Sequence, residues 1–170
     1  DDPEQNLAEF VTYCRDTLAL YEDQGGFSVN LWLYKDANGR SHAMRFAQYS
    51  EKTDPYNFTP FLEPYLSFAK AYVRFHQEQQ QKTSIGNKTS ALATVYDALE
   101  HLERSPDILD VDGAVIGKSA ELIRERNSAA RCYQIGNELE LLCNFLRQKV
   151  ICPSLPIWNN PYPRQRYRAQ

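Results

Sequence analysis

Apolar residues recur every three or four positions through most of this chain, the interval that buries one face of an α-helix. Leu7, Phe10, Val11, Cys14, Leu18 and Tyr21 make the first such stripe and predict a helix over 3–22. Gly25-Gly26 stops it, and residues 27–34 then alternate in the manner of a strand. Asn38-Gly39, a type I′ turn signal, leads into a second strand over 40–48, which predicts a β-hairpin. A hairpin alone is marginal in water, so this one is expected to pack on a helix or gain a third strand.

Residues 49–60 show no period, and Asp54-Pro55 and Thr59-Pro60 each disfavour helix before the proline. Helical spacing returns over 61–81 with Leu62, Leu66, Ala69, Val73 and His76, widened by Tyr65, Phe68, Tyr72 and Phe75. A polar break at 82–89 interrupts it before Leu92, Val95, Leu99 and Leu102 resume the stripe. Ser105-Pro106-Asp107 makes a turn. Val115, Ala120, Leu122 and Ile123 predict a helix over 112–126, and Ser128 is placed to cap another over 129–150, whose stripe is Cys132, Ile135, Leu139, Leu142 and Leu146. Residues 152–170 contain four prolines and read as an extended tail, with Ile157 and Trp158 able to dock back. The expected class is mainly α: a four-helix bundle at 61–151, a helix and β-hairpin appendage at 1–60, and a Pro-rich linker at 152–170.

Charge divides along the same line. Residues 1–60 carry five Lys/Arg against ten Asp/Glu, whereas 61–170 carry fourteen against twelve, so a polyanion is expected to meet the second part. No apolar run approaches the roughly 20 residues of a membrane helix. The acidic start, Asp1-Asp2-Pro3-Glu4, has no hydrophobic signal core, which points to a cytoplasmic protein. It also lacks Met and reads as a piece of something longer. Cys14, Cys132, Cys143 and Cys152 form no C-x-x-C pair, and none of the three histidines stands at ligand spacing from them. Neither a metal nor a cofactor is expected.

The cations are the more informative chemistry. Lys70 and Arg74 lie four apart on one helix, Lys82 and Lys88 bracket the polar break, and Arg124, Arg126 and Arg131 surround the next turn. Such residues neutralise phosphates. Thr83, Ser84, Asn87 and Thr89 add hydrogen-bonding groups where a turn feeds a helix N-terminus, which favours an anion. These eleven residues are the candidate contacts to duplex DNA.

The stretches Phe68-Ala-Lys-Ala-Tyr-Val-Arg74, Asn87-Lys-Thr-Ser-Ala-Leu92, Ala120-Glu-Leu-Ile-Arg-Glu-Arg126 and Tyr133-Gln-Ile-Gly-Asn-Glu-Leu-Glu-Leu-Leu-Cys-Asn-Phe-Leu146 precede a Trp158-Asn-Asn-Pro-Tyr-Pro-Arg164 tail. Together they resemble the N-terminal region of site-specific integrases of the phage-integrase, or tyrosine-recombinase, family. The resemblance covers about 100 residues. It implies a SAM-like core-binding domain that forms half of a clamp around the recombination site. It also implies a separate catalytic domain as partner, self-association on DNA, and DNA contacts at Lys82, Thr83, Ser84, Asn87, Lys88 and Thr89. His42-Ala-Met-Arg45 and His101-Leu-Glu-Arg104 spell the His-x-x-Arg of that family's catalytic box, and Tyr133 follows the second. His101 closes a helix and Tyr133 falls on an apolar stripe, so structural roles are expected for both. No catalysis is expected of this chain. The competing reading is a helical adaptor that binds protein and no nucleic acid.

Overall fold

α2, Tyr65–Gln79, carries the expected apolar stripe but is buried on nearly every side, Lys70, Ala71 and Arg74 included. The reason is its neighbours. In a computed structural model describing residues 2–50, 54, 56–79 and 85–166, α1 (Pro3–Asp16) packs along one flank and α3 (Ile85–His101) along another. Phe145 of α5 (Ala129–Gln148) meets the Tyr72 ring edge-on at 5.1 Å. α4 (Gly113–Arg126) completes the bundle by packing on α3 and α5.

α1 stops at Asp16, short of the expected limit at residue 22. Leu18 and Tyr21 are buried as the stripe predicts, but the chain reaches them through irregular backbone, with Tyr21 at φ 72° and Gly25 and Gly26 also at positive φ. The hairpin is present as β1 (Leu31–Lys35) and antiparallel β2 (Ser41–Arg45), with Trp32 opposite Met44 and both buried. Trp32 stacks on Tyr21, meets Phe46 edge-on and donates its ring N–H to Gly26 O at 2.9 Å. That packing stabilises a hairpin too small to stand alone.

The hairpin turn differs from the two-residue type I′ expected at Asn38-Gly39. The connection spans 36–40, Gly39 has φ 79° while Asn38 is not at positive φ, and Asp36 organises the loop by accepting the Asn38 and Arg40 N–H groups. A carboxylate capping the turn removes the need for two left-handed residues.

α3 begins at Ile85, so 85–89, expected to belong to the polar break, are helical. Asn87 and Lys88 do not break the helix because their side chains are taken up by α5, as described below. Residues 80–84 lie outside the described residues, and with them Lys82, Thr83 and Ser84. The other helix starts follow their caps: Asp112 Oδ1 accepts the Val115 N–H at 3.1 Å, and Ser128 Oγ accepts that of Arg131 at 3.3 Å.

A single hydrophobic cluster runs from Leu7 through Trp32 and Tyr65 to Leu155. The N-terminal helix and hairpin therefore share their core with the bundle. Among the described residues no helix is long and apolar enough to cross a membrane.

Candidate nucleic-acid interface

Three of the cations singled out by the sequence face inward. Lys70 is 2% exposed, with Nζ 2.9 Å from Phe27 O and 2.8 Å from Asn30 Oδ1. Burial lowers its pKa to about 8. Arg74 is fully buried, and its Nη1 donates to Cys14 O, Arg15 O and Leu18 O and pairs with Glu22 Oε1 at 2.8 Å. Its Nε and Nη2 make no hydrogen bond among the described residues, and the guanidinium lies over the rings of Phe27 and Trp32. Lys88 is 1% exposed and pairs with Glu138 Oε2 at 2.7 Å. All three are corrected from surface contacts to interior ones. Long cationic side chains belong inside only where carbonyls and carboxylates meet them, and here each is met by a different element of the fold.

Asn87 is also buried and accepts from Arg131 Nη1. Thr89 Oγ1 donates within its own helix, to Ile85 O at 3.2 Å and Gly86 O at 3.1 Å. The polar residues at the start of α3 thus serve the helix and its neighbour first.

The remaining candidates converge on the α4–α5 turn. Arg124 and Arg131 are exposed, and Arg126 is half-buried. Arg126 pairs with Asp97 Oδ2 at 2.7 Å and lies over the Tyr49 ring at 4.4 Å. Burial pushes the Asp97 carboxyl up, against the pull of the Arg126 hydrogen bond. Arg131 spans Asn87 Oδ1 and Ser90 Oγ, which sets its guanidinium against α3. Arg45 of β2, Arg126, Asn127 and Arg131 line one open groove, about 240 Å³ in volume, together with Thr89 and Ser90.

A second concavity abuts the same end of α5, formed by Ala130, Tyr133 and Gln134 with Arg164 and Arg166 of the tail. Among the described residues, Arg45, Arg124, Arg131, Arg164 and Arg166 form no ion pair with a carboxylate. The cap and first turn of α5, Ser128, Ala129 and Ala130, are small and exposed, so an anion can approach the backbone N–H groups there.

Sequence reasoning missed Arg45, Ser90, Asn127, Arg164 and Arg166. The tail arginines carried a signal, a basic end after a Pro-rich stretch, which reads as solvated until the tail is seen to dock. Arg45 carried none, because strand pairing alone decides where β2 lies.

The other chemistry is structural. His42 pairs with Asp36 at 2.8 Å and stacks on Tyr34, while Arg104 pairs with Asp112 at 2.7 Å. All four cysteines are free and buried, and burial pushes Cys14, Cys143 and Cys152 up to about 12. Among the described residues no three His, Cys, Asp or Glu side chains converge as metal ligands. Comparison with family models, curated sequences and solved structures gives no match.

Proposed function

We propose that this chain binds duplex DNA and holds a recombination site for a catalytic domain of the tyrosine-recombinase kind, itself carrying out no chemistry. The observation that carries the reading is the convergence of Arg45, Arg126 and Arg131, from three separate elements, on one open groove. Arg124 follows on the same turn, and Arg164 and Arg166 flank the first turns of α5. Five of these six arginines lack a carboxylate partner among the described residues, so their charge is available to phosphate. Thr89, Ser90 and Asn127 line the same groove, and their hydroxyl and amide groups can supply neutral hydrogen bonds. The resemblance to integrase core-binding regions agrees with a helical DNA-holding module, and among the described residues the face proposed here is centred on the α4–α5 turn, with Thr89 from the 82–89 segment beside it. A cytoplasmic setting belongs to the same reading.

The experiment is the salt dependence of binding to a fluorescent duplex. Wild-type affinity falls steeply between about 50 and about 200 mM salt, and Arg124→Glu with Arg131→Glu abolishes binding without loss of fold. Undiminished binding by that variant removes the α4–α5 turn from the site.

One observation favours the adaptor reading. Residues 1–60 keep a net charge of −5, and α1 exposes Glu4, Glu9 and Asp16 along its outer side. Binding that is absent at all salt concentrations would leave protein recognition through that acidic side as the better account.

A further inference from the structure

The tail after α5 is fastened to the bundle. Asn160 uses its whole side chain: Nδ2 donates to Tyr133 O at 2.9 Å and to Asn137 Oδ1 at 2.8 Å, while Oδ1 accepts the Tyr162 N–H at 3.1 Å. Its backbone N–H donates to Glu140 Oε1 at 2.8 Å. Two residues on, the Tyr162 hydroxyl donates to Ala120 O of α4. Upstream, Arg147 Nη1 donates to Pro156 O at 3.1 Å.

The helix is shaped to receive this amide. Gly136 is buried at the contact, and a Cβ there would fall on the Asn160 side chain, with Cγ only 2.7 Å away. Glycine costs a helix stability when it stands mid-element, as Gly136 does in α5. Close approach of the tail accounts for it.

A linker that only joined two domains would not need these bonds. Just beyond Asn160 come Pro161 and Pro163, and Arg164 and Arg166 then line one concavity with Ala130, Tyr133 and Gln134 of α5. We propose that Asn160 is a positioning residue for nucleic-acid binding: it straps the tail to α5 so that Arg164 and Arg166 extend the Arg131 groove into a longer track for the phosphate backbone. This rests on the DNA-binding reading above and adds a second phosphate-contacting element to it.

Two measurements on the 170-residue chain test the strap and its purpose separately. The first is limited trypsin cleavage after Arg164 and Arg166 without DNA. Wild type is cut slowly; Asn160→Ala and Gly136→Ala are each cut at least about tenfold faster, because the tail is released. Equal rates in all three would overturn the strap and the inference with it.

The second is the slope of log affinity against log salt for the duplex. Arg164→Gln with Arg166→Gln lowers the slope by about 2. Asn160→Ala weakens binding and lowers the slope in the same direction, yet adds nothing in the Arg164→Gln/Arg166→Gln background. An Asn160→Ala effect of the same size with and without the two arginines would show a general structural role and overturn the positioning claim. No duplex binding by wild type, with trypsin protection intact, would instead sink the DNA reading, and the phosphate track with it.

Discussion

Lys88 Nζ lies 2.7 Å from Glu138 Oε2, joining α3 to α5 through a pair in which neither residue is more than 7% exposed. The ammonium also lies 4.9 Å above the Tyr72 ring of α2. One ion pair thus sits where three helices meet. Its residues are held by two helices that approach from positions 50 apart in the chain.

Breaking this pair from one side leaves a buried charge without its partner. Lys88→Met and Glu138→Leu should each cost about 3–5 kcal/mol by chemical denaturation, whereas the two combined should recover most of the loss. Additive losses in the double variant would contradict a coupled interior pair.

Arg74 caps the end of α1 by taking the carbonyls of Cys14 and Arg15, which an α-helix leaves unpaired at its C-terminus, and that of Leu18 just beyond it. Arg74→Met should therefore destabilise by about 1–3 kcal/mol, the cost of carbonyls left unmet, and raise amide exchange in the last turn of α1 before that in α5. A loss below about 1 kcal/mol would mean the carbonyls find other partners.

His76 is buried against Phe145 and Phe75, with Nδ1 2.9 Å from Tyr72 O. Burial lowers its pKa from 6.5 to about 4, and the nearby Lys88 and Lys149 charges act in the same direction. The folded state therefore binds fewer protons than the unfolded state between those values. Its contribution is complete above pH 6.5 and is lost as pH falls towards 4. His76→Gln should flatten the stability profile in that window relative to wild type. Parallel profiles for the two proteins would refute it.

The Tyr72 hydroxyl is buried and has no hydrogen-bond partner among the described residues. Tyr72→Phe should leave stability unchanged or raise it by about 1 kcal/mol, because the unmet desolvation of the hydroxyl disappears while the ring packing stays. A clear drop in the denaturation midpoint would point to a bound water.

The elements were legible from the chain because each announces itself locally. The interval of Cys132, Ile135, Leu139, Leu142 and Leu146 and the Ser128 cap gave α5 from Ala129, and the 112–126 helix lies within one residue of α4, with Asp112 as its cap. The hairpin was legible from its alternation, but its inward face was not: period two groups Phe27, Val29, Leu31 and Leu33, whereas Leu33 is exposed and Trp32, opposite Met44, is buried. The end of α1 was not legible, because the group that terminates it, Arg74, comes from another helix.

Sequence by itself thus determined the mainly helical class, the hairpin beside it and most of the inward faces, since hydrophobic period depends only on neighbours along the chain. Tertiary structure decided which cations are surface and which are interior. Lys70, Arg74 and Lys88 are charged side chains on helices covered from several directions, and their partners are a loop, a helix end and a distant carboxylate. Whether a lysine is solvated or paired inside depends on what the fold brings within about 3 Å of its ammonium, and spacing in one helix carries no record of that.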